Sequence, residues 1–583
     1  TFTNPLRPAV SLSPTFAELF VRRWDIFQPG TFSETWQPDT ASTDTGYSTT
    51  GESILPRDYP LSPEESLAAW QIDGDYQLQL VAAEPLTCDP VDVSWDSQGR
   101  LFVAEMRDYP LPTEHGGYLS RIRLLTDTNG DGVMDEAITW ADHLDHVQGL
   151  TPHREGFIAT TRTAILYLAD TDGDDRADHI EPLYHSNDPK HNQLQVSSPR
   201  RGLDNWIYLN NGLDLKQIYR DGFPDATLNI SKSNIRIHPQ NHAIKAVSGY
   251  GQYGATQDDF GRRFFSSNRN PIMMAVMPFK QGYEDIAPSG ENSKVYPLEL
   301  SHTTSVAHAG THTAACGLAV YRGNAIPDLK GNLFVCEPTA QLVTRSRLME
   351  NGPSFRAERI GDKTDFIVSS DEWSRPVNLR NGPDGCLYLC DIYRRFIDHS
   401  RFFPEAFSKS HYMRAGFDHG RIYRLIPRDS SPPPAEPLPQ SSEALVEELK
   451  SPNAWQRVHA QRLIVESGDK SVAPLLESLL DRSPLPETRV HAFGALLGLE
   501  ALNERHFKTA LGDPETGVAE NALLAALPGQ AEQEILDLAR SRNDRASFLA
   551  LIHVSQYQWR NEEALDHIHQ LLHAAFGGVK ELV

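Results

Sequence analysis

The hydrophobic rhythm of the chain changes twice. Residues 1–60 hold no sustained period; Thr, Ser, Pro and Gly crowd them, above all over 39–53, and predict an irregular arm along the body. At Ser62-Pro63-Glu64-Glu65 a capping box with Pro at the first helical position opens a short helix, expected to run through Trp70. From Pro90 to Pro427 short apolar runs come in pairs split by turns: Val91–Trp95 turns at Gly99 into Leu101–Glu105, and Pro376–Leu379 turns at Gly385 into Cys386–Cys390. Similar hairpins turn near Gly156, Asn205, Gly261 and Gly331. About six units over ~340 residues predict a six-bladed β-propeller spanning 61–427. The run Gln77–Val81 precedes the first complete hairpin and is expected as the outer strand of the last blade, closing the ring.

Strands then stop. Ser430-Ser431-Pro432-Pro433-Pro434 marks a linker over 428–441. Helical periodicity fills 442–583. Gln456-Arg457-Val458-His459-Ala460 recurs as Thr488-Arg489-Val490-His491-Ala492 and, more loosely, as Thr516-Gly517-Val518-Ala519. Units of roughly 30 residues, each a helix pair, predict an all-α solenoid of HEAT type. Arg457 and Arg489 share one place in the repeat, which predicts a repeated ion pair. The solenoid is expected to be a separable scaffold, open to a protein partner.

Composition narrows the partners. Against 54 Lys and Arg stand 78 Asp and Glu, for a net charge of −24. Nucleic acid and anionic membranes, which need a basic face, are excluded. No stretch of about 18 apolar residues is present, so no transmembrane segment is expected. The sequence begins at Thr1 without Met, which suggests processing or trimming. Five cysteines contain no Cys-x-x-Cys-His, so no covalent haem is expected. A hairpin through 322–330 would bring Cys316 and Cys336 within reach of a disulfide, whereas Cys386 and Cys390 on one strand lie ~13 Å apart.

Two acidic loops share one pattern about 43 residues apart, a blade-like period. The first is Asp127-Thr-Asn129-Gly-Asp131-Gly-Val133-Met-Asp135; the second is Asp170-Thr-Asp172-Gly-Asp174-Asp-Arg176-Ala-Asp178. Side-chain oxygens fall at positions 1, 3, 5 and 9, with the carbonyls of Val133 and Arg176 at position 7, a set suited to Ca²⁺. Glu181 adds a carboxylate at position 12 of the second loop; the first has Ile138 there. Both loops follow third strands, which puts them on the face of the Gly turns, here called the bottom. Two structural Ca²⁺ sites are expected, and such loops suit a periplasmic or secreted protein.

The same topology sends other residues to the opposite, top face. His146, His191, Gln252, His312 and Arg375 lead into inner strands; Arg107, Arg269, Asp391 and Arg394 follow second strands. Imidazoles and guanidiniums converging from separate blades suit an anionic cofactor or substrate, with His as base.

Several stretches give a resemblance. Val103-Ala-Glu-Met-Arg-Asp-Tyr-Pro110, Ser266-Ser-Asn-Arg-Asn-Pro271, Arg375-Pro-Val-Asn-Leu379, Gly382-Pro-Asp-Gly-Cys-Leu-Tyr388 and Gly420-Arg-Ile-Tyr-Arg424 resemble the membrane-bound dehydrogenase family of planctomycete-type bacteria. The likeness covers about residues 60–530, solenoid included. The propeller is more distantly similar to soluble glucose and sorbosone dehydrogenases, which use pyrroloquinoline quinone (PQQ). The resemblance implies oxidation of a sugar or other alcohol with His146 as base and the remaining top-face residues, led by Arg107, Arg269 and Arg375, around the quinone. Many members carry a cytochrome c domain with Cys-x-x-Cys-His, absent from these residues; either that domain lies outside this sequence, or electrons pass to a separate carrier such as a cytochrome c, or the propeller is not a dehydrogenase here. Two other readings stand beside this one: a glycan-binding or scaffold propeller without turnover, and a metal-dependent hydrolase or lyase acting on carbohydrate.

Overall fold

The computed structural model describes residues 59–556 except 110–117, 187–193, 221–222, 277–283, 286–311, 362–363, 398–413, 433, 528 and 542. The expected arm therefore lies almost wholly outside the described residues, as do His191 and the last part of the helical region.

Six antiparallel sheets surround one axis as a six-bladed propeller. Their inner strands are Pro90–Trp95, Gly149–His153, Ser197–Arg201, Ala255–Gln257, Leu318–Val320 and Pro376–Asn381. Nearly every residue of the inner strands of blades 1 and 2 is buried. Both faces of these strands pack on neighbours, so the runs are apolar without alternation. The first hairpin turns need a left-handed residue, and Gly99, Asn205, Gly261, Gly331 and Gly385 supply it with φ of 78°, 68°, 77°, 78° and 78°. In blade 2 that residue is Arg154, at φ 49°, rather than Gly156. Gly156 instead starts the second strand, where a Cβ would lie 1.9 Å from the Leu168 carbonyl oxygen.

The ring closes as expected: Tyr76–Ala82 pairs antiparallel with Arg421–Pro427, with Leu78 opposite Leu425. The capping box is present, Ser62 Oγ accepting from Glu65 N and Glu65 Oε2 from Ser62 N. Its helix, α1 (Pro63–Ala68), is shorter than expected because Trp70–Ile72 leaves to pair with Ile367–Ser369 at the edge of blade 5. Trp70 gains a buried place against Tyr423 there. All five cysteines are free; Cys316 Sγ faces the Cys336 carbonyl oxygen at 3.8 Å, so the expected disulfide is absent.

Beyond the linker come eight α-helices among the described residues: α2 (Ser442–Glu448), α3 (Ala454–Ser467), α4 (Ala473–Arg482), α5 (Pro486–Gly498), α6 (Glu504–Leu511), α7 (Thr516–Ala525), α8 (Glu532–Ala539) and α9 (Asp544–Gln556). They stack in two layers, α3, α5, α7 and α9 in one, α2, α4, α6 and α8 in the other, as expected of a solenoid. Arg457 and Arg489 each donate to a carbonyl six residues earlier, Ser451 and Ser483, so the repeat is real. Their ion pairs diverge: Arg489 pairs with Asp513 of the next unit, Arg457 with Asp259 of the propeller.

The first of those layers lies across the bottom of the propeller. Asn453 caps α3 through Trp455 N, while its Nδ2 donates to the carbonyls of Gly382 and Pro383 in blade 6. In α5, Gly494 comes so close to blade 3 that a Cβ would sit 2.4 Å from the Leu203 carbonyl oxygen. Glycine in a helix interior costs about 1 kcal/mol against alanine, a cost offset here by close approach. Ion pairs join the parts: Glu466 with Arg201 and Glu520 with Arg262. One apolar cluster runs from Trp95 and Leu203 into Trp455, Phe493 and Val518. The two parts thus share a core, and the expectation of a separable scaffold gives way to an integral base.

Candidate functional site

A polar plug divides the central channel at mid-height. Asp92, on the inner strand of blade 1, accepts from Arg380 Nε and Nη2 at 2.7 Å each, from Asn378 Nδ2 at 2.9 Å and from Leu150 N at 3.0 Å. From the segment before blade 4, Tyr253 reaches across to donate to the Val91 carbonyl at 2.7 Å. A bidentate Arg–carboxylate pair in a dry site is strong and directional. With helices below and this plug at mid-height, the top is where a ligand meets the channel.

At the top end of blade 2 stands His146. Its backbone is left-handed, φ 50°, and its side chain is fully buried. Nδ1 lies 2.8 Å from Asp145 Oδ1, and Nε2 is buried with no partner among the described residues. Asp145 is held in turn by Arg162 Nε, 3.1 Å from each carboxylate oxygen, and by Thr163. Burial alone would raise the Asp145 carboxyl, but His146 and Arg162 outweigh it and hold it below the usual range. A carboxylate fixing one imidazole nitrogen leaves the other presented for proton transfer. Asp145 was missed in the sequence, although it is the residue next to His146.

The other predicted top residues separate into those the walls consume and those left over. Arg375 is fully buried, and its guanidinium donates to the carbonyls of Arg394, Pro338 and Arg395. Arg394 forms a bidentate pair with Asp89 at 2.5 and 2.7 Å. Asp391 accepts from the backbone N of Arg375 and Tyr393. These three brace the blade 6 end of the mouth, while Arg394 Nη1 and Asp391 Oδ2 are buried with no partner among the described residues. Gln252 is also built in, its Oε1 accepting from Asn268 N. His312 is buried ahead of the Thr313 and Ala314 N–H groups that donate to Glu337. Arg269 is exposed, and Arg107 is half-buried with its Nε unpartnered among the described residues. Burial pushes the carboxyls of Asp89, Glu337 and Asp391 up to about 7. Strained titratable groups gathered at one opening are a recurring mark of a working site.

Both acidic loops lie at the bottom, after the third strands of blades 1 and 2, as expected. They fold alike. Asp127 accepts from Gly130 N and Gly132 N, and Asp170 from Gly173 N and Asp175 N. Asp131 accepts from Val133 N, and Asp174 from Arg176 N. In the second loop Asp170, Asp172 and Asp174 each bring an oxygen within 4.8 Å of the others, a donor set fitted to a hard cation. Asn129 stands where Asp172 does, so the first loop has one charge fewer. Asp135 and Asp178 do not join these clusters but close the loops onto Thr128 and Thr171. Glu181 lies on the following strand opposite Tyr167, with its carboxylate 3.7 Å from His179, so its expected place as a ligand is corrected.

A family profile described as a domain of unknown function, DUF7133, matches residues 62–429, more than half of the chain. No curated protein matches the chain. Among solved structures, an oxidoreductase described as a glucose dehydrogenase from Thermus thermophilus is similar at 15% identity and TM-score 0.39, covering 60% of this chain and 100% of that one. The soluble aldose sugar dehydrogenase of Escherichia coli, in its apo form, is similar at 12% identity and TM-score 0.34, covering 60% and 100%. The PQQ domain of pyranose dehydrogenase from Coprinopsis cinerea is similar at 12% identity and TM-score 0.36, covering 61% and 97%.

Proposed function

This chain belongs to the DUF7133 family, and on that footing we propose that its propeller oxidises a hydroxyl group of a sugar or other alcohol at the top mouth. The carrying observation is the Asp145–His146 pair with Nε2 buried and unpartnered. Nε2 accepts the hydroxyl proton as the carbinol carbon is oxidised, while Asp145 stabilises the resulting imidazolium and Arg162 keeps Asp145 ionised. A quinone of PQQ type would supply the oxidising chemistry when bound. Its carboxylates need cations, and Arg107 and Arg269 are the two predicted guanidiniums not consumed by the walls. Calcium in the Asp170 loop, and more weakly in the Asp127 loop, holds blade connections at the other face. The setting is periplasmic or secreted, with a cytochrome c as electron acceptor.

One observation favours a second reading. Arg375 is spent on main-chain carbonyls and Arg394 is paired with Asp89, with its Nη1 left over, which leaves fewer cations for a tricarboxylate and suits glycan binding without turnover. The test loads the full chain with PQQ and Ca²⁺ and follows reduction of an artificial acceptor over a panel of sugars and alcohols. Turnover is expected, and His146→Ala should cut it by roughly 10²–10⁴-fold, the usual loss for a general base. Glycan binding without acceptor reduction would replace the first reading by the second.

A further inference from the structure

Below the plug, between the inner strands and α3, lies a chamber of about 120 Å³. Every blade contributes to its wall, and α3 floors it with Trp455, His459 and Arg462. Five guanidiniums line it: Arg200, Arg201, Arg322, Arg380 and Arg462. No carboxylate does. Three stand behind them: Asp92 on Arg380 and, at 3.9 Å, on Arg200; Glu466 on Arg201 and Arg462; and Asp259 on Arg322. Asp259 is shared with a sixth, Arg457. Six cations against three anions leave positive charge uncompensated in the interior of a strongly acidic protein.

The donors tell the same story from geometry. Trp455 Nε1, His459 Nδ1 and Arg462 Nε are buried and have no partner among the described residues, and their side chains are more than nine-tenths buried. Arg200 Nη2 is buried and unpartnered too, its Nη1 spending one bond on the Pro199 carbonyl. Burial and the neighbouring Arg380 push the Arg200 guanidinium down to about 9. Uncompensated buried charge and orphaned donors are each costly, and a protein does not keep several together without something to pair them.

We propose that this chamber is an anion site that takes a small tetrahedral oxyanion of the phosphate or sulfate type, clamping α3 onto the propeller. A space of about 120 Å³, at the roughly 10–15 Å³ of such space that one water needs, has room for such an ion with residual water. Donors arriving from the propeller above and from α3 below match several oxygens better than a single halide. The ion supplies the missing negative charge at the joint of the two parts.

The test uses the full chain, dialysed exhaustively into sodium gluconate and melted with sodium phosphate, sulfate or chloride at constant ionic strength. Phosphate and sulfate are expected to raise the melting temperature saturably, by roughly 3–5 °C near 100-fold excess over Kd. Arg200→Met keeps the aliphatic stem and leaves Asp92 with Arg380, so it should fold. It should lose the oxyanion response while its melt in gluconate changes little, because the repulsion from Arg380 and the long pair with Asp92 go together. Were Arg200→Met not to fold, Trp455→Phe removes one donor at constant charge and should weaken the response. Ion chromatography of the native protein denatured before dialysis is expected to release about one oxyanion per chain. Equal responses to chloride and phosphate would overturn the oxyanion assignment. No response to any of the salts, with no anion released, would overturn the site.

Discussion

The two faces of the propeller treat buried charge in opposite ways. At the bottom, Glu466, Asp259 and Glu520 meet more than one cation each, although burial still raises Asp258. Burial would raise Glu466, but Arg462, His153 and Arg201 hold it well below the usual range; Asp259 is held down likewise by Arg322 and Arg457, and Glu520 by Arg545 and Arg262. At the top, burial wins at Asp89, Glu337 and Asp391, which stand near 7, while Asp145 beside His146 is held down. The bottom is built to hold helices and strands together. The top carries its unresolved cost on carboxyls, together with the Asp145–His146 pair, whereas the bottom carries its own as excess guanidinium charge in the chamber. A face that keeps such cost is where function is to be sought.

This contrast can be broken experimentally. The largest effect should come from Glu466→Ala, which leaves Arg201 and Arg462 buried without their carboxylate. A loss of about 3–5 kcal/mol in denaturant unfolding is expected. His146→Ala empties a buried position and takes one partner from Asp145, so it should cost about 1–3 kcal/mol, less than Glu466→Ala, while cutting turnover by roughly 10²–10⁴-fold; equal stability losses from the two would erase the distinction between the faces. Next in size is a pH effect. The top carboxyls bind protons more tightly folded than unfolded, so their contribution is complete below about pH 4 and is lost as pH rises through about 7. The bottom carboxylates act oppositely, contributing above about pH 4 and failing as pH falls further. Melting temperature should therefore peak between about pH 4 and 6 and fall by several degrees toward pH 8, less so in Asp391→Asn; an Asp391→Asn profile parallel to the native one would remove Asp391 from the account. Smaller again, chelation of Ca²⁺ should lower the melt by about 2–5 °C, with Asp174→Ala losing more of that response than Asp131→Ala. The smallest is Arg489→Ala, which frees one part-buried pair with Asp513 and should cost about 1 kcal/mol without touching the propeller.

The architecture was largely legible because propeller blades advertise their turns. A left-handed residue after each inner strand narrows the choice to Gly or Asn in five blades of six. Blade 2 escapes the rule because Arg154 occupies that position, a strain no composition rule anticipates. Trp70 continues a helical pattern locally but is drawn to an edge strand by a buried ring contact with Tyr423. The guanidiniums at the mouth were misread for a different reason. Sequence gives the strand end on which an arginine sits, not whether it points into the channel or turns back to main-chain carbonyls, as Arg375 does. The docking of the helices was also hidden. HEAT-type periodicity reports how helices stack on each other, while Gly494 and Gly517, placed where bulk would strike Leu203 and Phe260, report what they stack against.

The strand that closes the ring sets a timetable. Tyr76–Ala82 is among the first segments of the propeller to be synthesised, and its partner Arg421–Pro427 is the last. At ~5–20 residues per second the early strand waits about 20–70 s for its mate. Over that interval an apolar edge with unpaired N–H and C=O groups stands open, the kind of edge that recruits other chains. Yield of soluble protein should thus depend on how fast ribosomes cross the propeller, and a slowed translation rate should penalise this chain more than the strength of its finished core would suggest.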